Sequence, residues 1–176
     1  MNVQDAILRR ESCRSYSEKP VEREKLVACL EAARMAPSAC NSQPWRYVAV
    51  QEPELLKKMR PCMQAFGMNK FIDGCGTLVA VIEEPATLSA KLGGRISQQQ
   101  YAQMDVGISV AHFCLRATEL GLGTCILGWL NPDKLRETLG LRPDEKPRLV
   151  IAVGYAASGE LRAKKRKNAE DVYEIR

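Results

Sequence analysis

The sequence predicts an α+β sandwich of three layers, and three observations predict it. Hydrophobic residues make up 45% of the 176 and charged residues 27%, enough apolar material for a core in an ordinary folded chain. Segments of helical period and short β-type runs alternate only loosely. One of the runs, Leu78–Glu83, is continuously apolar, as a buried strand would be. Strand order and handedness do not follow from the pattern.

The elements read as follows. Val3–Arg10 is a short helix, with Val3 and Ile7 four apart on one face. Glu11–Pro20 is polar and ends in proline, so it is a loop. Glu22–Met35 is a helix with an inner stripe of Leu26, Leu30 and Ala33, and Glu22 and Glu24 suit the positive end of its dipole. Pro37 ends it. Trp45–Gln51 is a β-type run, and Pro53–Met63 is a helix with proline in its first turn. Ala86–Tyr101, with Gly93-Gly94 and Ser97-Gln98-Gln99-Gln100, is either a surface connection or a pocket wall.

Met104–Leu120 is the strongest helix. Met104, Ile108, Ala111, Leu115 and Thr118 repeat at helical spacing, flanked by Val110 and Leu122, and Gly121 stops it. Cys125–Leu127 is a short strand. Asn131 and Pro132 read as N-cap and first helical residue, with Gly140 as the stop. Leu149–Val153 is a last core strand. Tyr155–Arg176 is polar and basic, an extension of one domain spanning 1–176, and it must dock elsewhere or stay mobile.

Composition excludes several classes. No apolar run reaches the roughly 18 residues of a membrane helix, and Met1–Arg10 lacks the apolar centre of a signal peptide, so a cytoplasmic protein is expected. There are seven cysteines, the closest (Cys29 and Cys40, Cys114 and Cys125) eleven apart, so no C-x-x-C spacing exists for zinc or thioredoxin chemistry. Reduced thiols and no metal are expected. The net charge is +5, which admits nucleic acid, an anionic surface or a phosphorylated ligand. The cations gather at Arg9, Arg10 and Arg14 and again at Arg162, Lys164, Lys165, Arg166 and Lys167. Aromatics are only 6%, and none interleaves the basic cluster, so a nucleic-acid module is the weaker alternative and no nucleic-acid or membrane partner is expected.

Two segments carry chemistry. Arg10-Glu11-Ser12-Cys13-Arg14 puts two cations and a hydroxyl on one loop, suited to a phosphate or a carbonyl-rich ring, or else simply solvated. In Ala36-Pro37-Ser38-Ala39-Cys40-Asn41-Ser42-Gln43-Pro44-Trp45, two prolines bracket a stretch that cannot be helix or central strand. Ser38, Asn41, Ser42 and Gln43 offer neutral hydrogen bonds. These suit a heteroaromatic edge or a ribityl chain, and equally a capping turn between helix and strand. Gly121-Leu122-Gly123 follows a helix and lacks a third glycine in place, so it is no dinucleotide fingerprint. His112, the only histidine, reads as structural, and Asp105 as a favourable helix-dipole position.

Taken in order, the Arg10–Arg14 loop, Ala-Pro-Ser-Ala-x-Asn-x-Gln-Pro-Trp, Gly121-Leu-Gly-Thr-Cys-Ile-Leu-Gly-Trp and the basic tail resemble the FMN-dependent nitroreductase family, from about Val3 to Arg166. That resemblance implies a mixed, mostly antiparallel sheet flanked by helices, in an intertwined homodimer with two FMN at the subunit interface. It implies that Arg10, Glu11 and Ser12 lie near the FMN phosphate and Arg14 beside the pyrimidine edge. Pro37, Ser38, Ala39, Asn41 and Gln43 would come from the partner subunit. Asn69 and Lys70 match a polar pair near the pyrimidine. Leu127 and Gly128 match backbone amides near flavin N5, where glycine permits close approach. Lys164 and Arg166 match a pair closing on the phosphate, with Lys165 and Lys167 one residue on. Asn168 and Ala169 stand where the family often has proline.

The implied function is a ping-pong cycle. Hydride passes from NAD(P)H to flavin N5 and on to a small electron-poor acceptor such as a nitroaromatic or quinone, with no side-chain acid or base required. A dehalogenase or flavin-fragmenting enzyme of the same family is the alternative. The short Ala86–Tyr101 segment leaves little room for an elaborate lid.

Overall fold

Alternate residues of one strand define the layers. In the computed structural model, which describes residues 1–176, β2 (Thr77–Glu83) is buried on both faces. Leu78, Ala80 and Ile82 point to one side and Val79 and Val81 to the other, as the period of two requires. β4 (Lys146–Gly154) divides likewise, Val150 and Ala152 against Ile151 and Val153. Helices α2 (Arg23–Arg34) and α5 (Tyr101–Glu119) cover the first face through Leu26, Cys29, Ala33, Val106, Val110 and Phe113. Helices α3 (Pro53–Met59) and α6 (Pro132–Thr138) cover the second through Leu56, Met59 and Leu135.

The strands run β1-β2-β4-β3, with β1 at Trp45–Val50 and β3 at Gly123–Leu127. All three pairings are antiparallel. The expected mixed sheet is thus corrected within this chain. Parallel pairing survives only as an isolated bridge between Ser12 and Thr124, because only the 12–14 segment runs alongside β3.

Local signals explain most boundaries. Asn2 caps α1 (Val3–Arg9) in a reciprocal box with Asp5. Asn131 caps α6 by accepting from the Lys134 amide, and Pro132 occupies its first turn. Gly121, at φ 78, lets α5 end with the Leu122 amide bonded back to the Ala117 carbonyl at 2.8 Å. The helix expected over 53–63 stops at Met59 and continues as a tight turn, Arg60–Cys62, because Pro61 offers no amide and crowds the carbonyl four residues back.

Two expectations change. Ala86–Tyr101 contains a helix, α4 (Leu88–Ser97), capped by Thr87. Its glycines weaken the helical signal, but Gly94 is needed where the Gln99 carbonyl comes within 2.8 Å of where a Cβ would stand. The repeat on α5 does not face the sheet. Met104 and Ile108 are 51% and 39% exposed, and Ala111 is exposed too, while Asp105, Val106, Ser109, Val110 and Phe113 turn inward. On α1, Val3, Ile7 and Leu8 are likewise exposed and only Ala6 is buried. No helix is long and apolar enough to cross a membrane.

Candidate functional site

The extension after β4 determines where the cations meet. Ala156 bridges to Tyr16, and the Ala157 amide donates to the Ser15 carbonyl at 3.0 Å, so the chain is led back along the 11–17 loop. Arg162 then binds Glu11 at 3.3 Å and donates to the Ser12 carbonyl. Lys164 reaches the carbonyls of Ile7 and Leu8, at the C-terminal end of α1 where the dipole favours a cation.

This docking closes a cleft of about 270 Å³ lined by Arg10, Glu11, Ser12 and Arg14 on one side and residues 162–166 on the other. Six cations face it (Arg10, Arg14, Arg162, Lys164, Lys165, Arg166) against one acid, Glu11, already paired. Lys164, Lys165 and Arg166 all line it, and Lys167 does not. Arg162 also lines the cleft; the sequence reading placed it in the tail cluster but not among the candidate site residues.

Arg10 stands between the cleft and the core. Its Nε and one terminal nitrogen are buried without a hydrogen-bond partner. It lies against Cys114, whose thiol burial pushes up while Thr124 and Arg10 oppose the shift. Burying guanidinium nitrogens without an acceptor is costly. The loop is held in place by β3: the Cys13 amide donates to the Thr124 carbonyl at 2.9 Å.

Leu127 ends β3 and Gly128 follows it. Leu127 is buried, and Gly128 lies beyond the last strand pair, exposed, with its amide bonded to nothing in the chain. A Cβ at Gly128 would meet no atom within 4 Å, so packing inside this chain does not require glycine there. Lys70 is exposed at the head of a tight turn, Lys70–Gly74. The next residue, Phe71, stacks on Tyr16 at 6.5 Å, which keeps the turn beside the Arg14 loop. Asn69 is spent holding the Met63 carbonyl at 3.0 Å.

The segment from Pro37 to Gln43 lies elsewhere. It enters β1, at the opposite edge of the sheet from β3. Three inter-strand steps separate those edges, roughly 14 Å. One chain therefore does not bring Ser38, Ala39 and Asn41 to Arg10 and Ser12. The loop backbone is strained: Cys40, Asn41 and Gln43 have φ of 51, 49 and 45. Part of its polar set is used internally. Ser38 Oγ accepts from the Gln43 amide at 2.8 Å, Gln43 Nε2 donates to Asn41 Oδ1 at 3.1 Å, and Ser42 Oγ accepts from the Thr87 amide at 2.9 Å. Pro37 and Asn41 remain exposed.

A family model described as the Nitroreductase family matches residues 7–155. A protein of Archaeoglobus fulgidus described as NADH dehydrogenase/NAD(P)H nitroreductase is 30% identical, over 85% of this chain and 82% of its own length. The iodotyrosine deiodinase of Drosophila melanogaster is 25% identical over 85% of this chain, which spans 61% of that relative's length. The solved structure of an FMN-dependent nitroreductase of Clostridium difficile superposes with a TM-score of 0.73 at 25% identity, covering 95% of this chain and 92% of that one.

Proposed function

Because this chain belongs to the nitroreductase family, we propose that it is an FMN-dependent NAD(P)H oxidoreductase, working as a homodimer on a small electron-poor acceptor such as a nitroaromatic or quinone. One observation carries the reading: a cleft lined by six cations against a single acid, among them Arg10, two of whose guanidinium nitrogens have no hydrogen-bond partner in the chain. A phosphate monoester is the ligand class that satisfies it, since its oxygens accept charge-assisted bonds from a planar fork.

The residues fit FMN in parts. Arg10 and Ser12, with Lys164, Lys165 and Arg166 closing over them, would hold the phosphate. Glu11 would fix the closing segment through Arg162. Arg14, exposed at the edge of the cleft, and Lys70, on the turn whose Phe71 stacks on Tyr16, would face the pyrimidine edge and stabilise negative charge there. Gly128 would present its free amide to the reacting nitrogen. When bound, FMN supplies reversible hydride transfer at N5, and the protein contributes position and charge.

The second copy follows from distance. Pro37, Ser38, Ala39, Asn41 and Gln43 cannot reach the cleft of their own chain, and α1 and α5 expose apolar residues that a partner would cover. These observations support an intertwined dimer in which each cofactor touches both chains.

A visible absorption spectrum of protein mixed with FMN and freed of excess, before and after NADH or NADPH, tests this. A yellow protein that bleaches anaerobically and recovers colour with a quinone is expected. Colourless protein, or colour that neither cofactor bleaches, overturns it. The deiodinase relative supports reductive dehalogenation as a second reading, which halide release from a halotyrosine would select.

A further inference from the structure

The inward face of α5 carries two polar residues, Asp105 and Ser109, four apart among Val106, Val110 and Phe113. Both are buried. Polar groups at core positions cost free energy unless bonded, so their partners indicate what they are for. Ser109 Oγ donates to the Ala33 carbonyl at 2.9 Å and shares a 2.7 Å hydrogen bond with the Tyr47 hydroxyl. Asp105 Oδ2 accepts from the Ala39 amide at 3.1 Å. Ala33 is in the last turn of α2, Tyr47 is in β1, and Ala39 lies between them. One helix face therefore holds the intervening segment at its entry, its middle and its exit.

That segment needs holding. Three consecutive-but-one positions, Cys40, Asn41 and Gln43, sit in left-handed backbone that residues with a Cβ disfavour. The bonds inside the segment tie Ser38 to Gln43 and Asn41 to Gln43, which fixes its shape but not its place on the protein. The Ser42–Thr87 bond ties it to the start of α4, itself at the surface. Asp105 is the anchor that reaches it from the core.

We propose that Asp105 is a positioning residue for the cofactor: by holding the Ala39 amide it sets the Pro37–Gln43 backbone in the conformation that receives FMN from a second copy. This rests on the function proposed above. The needed property is an acceptor oxygen at one point, not a charge. Asp105→Asn keeps that acceptor and Asp105→Ala removes it. Asp105→Glu keeps the charge but displaces the oxygens by a methylene.

Two readouts test it on the full-length protein: FMN affinity from quenching of FMN fluorescence, and amide hydrogen exchange of the FMN-free chain. Asp105→Ala is expected to weaken FMN binding about tenfold or more, Asp105→Glu severalfold, and Asp105→Asn no more than about threefold. Exchange at residues 39–43 should quicken in the alanine variant and return in the asparagine variant, with β2 and β4 amides unchanged. Wild-type FMN affinity in Asp105→Ala or Asp105→Glu overturns the assignment. So does an asparagine variant as weak as alanine, or exchange that rises equally across the sheet. If the alanine variant does not fold, the asparagine and glutamate pair decides. If the unmodified protein binds no FMN, the proposed function falls, and exchange at 39–43 still reports whether Asp105 holds the loop.

Discussion

Gly123 and Cys13 stand so close that a Cβ at position 123 would lie 2.8 Å from Cys13 Cβ and 2.9 Å from its sulfur. The first residue of β3 thus sets how tightly the Arg10–Arg14 loop lies on the sheet. The Cys13 Cβ cannot swing aside, because Cys13 is buried and its amide is bonded to Thr124. Gly123→Ala must push the loop outward. It should cost about 1–3 kcal/mol in stability. FMN affinity should fall with it, by about tenfold for a cleft whose donors have moved. Denaturant titration and FMN binding check the two effects, and a variant with wild-type values in both would disprove the dependence.

Arg10 yields a prediction of opposite signs. Its buried nitrogens lack partners in the FMN-free chain, so removing the charge relieves a cost. Arg10→Met should leave the Tm of FMN-free protein unchanged or raise it. The same variant should lose FMN retention at least about tenfold, since one cation of the proposed phosphate cleft disappears. Thermal denaturation with and without FMN measures both. A Tm drop without FMN would show that Arg10 stabilises the fold by itself.

The outward face of α5 gives the third. Ile108 is 39% exposed and two residues from Val110, which is buried. If the proposed dimer uses this face, Ile108→Glu should leave the monomer folded and shift sedimentation from dimer to monomer, because it places a charge on the apolar surface proposed to meet a partner. Val110→Glu should instead prevent folding, since no solvent reaches that position. If Ile108→Glu remains fully dimeric, the second copy docks elsewhere.

Tyr155 contributes to the acid side of stability through one surface carboxyl, Glu22. Its hydroxyl donates to Glu22 at 2.6 Å and accepts from Lys25 at 2.6 Å. The Tyr155 bond is the main cause holding the Glu22 carboxyl down at about 2, below its usual 4.5. A carboxyl depressed in the folded state contributes fully above its unfolded value, and the contribution is lost as pH falls from there through about 2. Tyr155→Phe should raise the Glu22 pKa toward 4.5 and flatten the fall of the urea midpoint in that window. Carboxyl titration by NMR reads the shift, and an unmoved Glu22 would place the cause elsewhere.

The sequence by itself determined the class of fold, most of the elements, and the two segments that carry chemistry. Caps, prolines and terminal glycines act within a few residues, so Asn131-Pro132, Gly121 and Gly140 could be read directly. The basic tail was legible as cations with no apolar material to bury. Tertiary structure decided what depends on distant partners. Apolar spacing cannot say whether a helix face meets a core or another chain, because both bury the same atoms. So Met104 and Ile108 read as helix and turned out exposed. Asp105 read as a dipole residue because its bond to Ala39 crosses 66 positions of sequence. Helix α4 was hidden by two glycines, of which Gly94 shows its use only in the close approach of the Gln99 carbonyl. Strand order, finally, puts Pro37–Gln43 and Arg10–Arg14 on opposite edges of one sheet. Pairing across a sheet is set by long-range packing, which leaves no local mark in the chain.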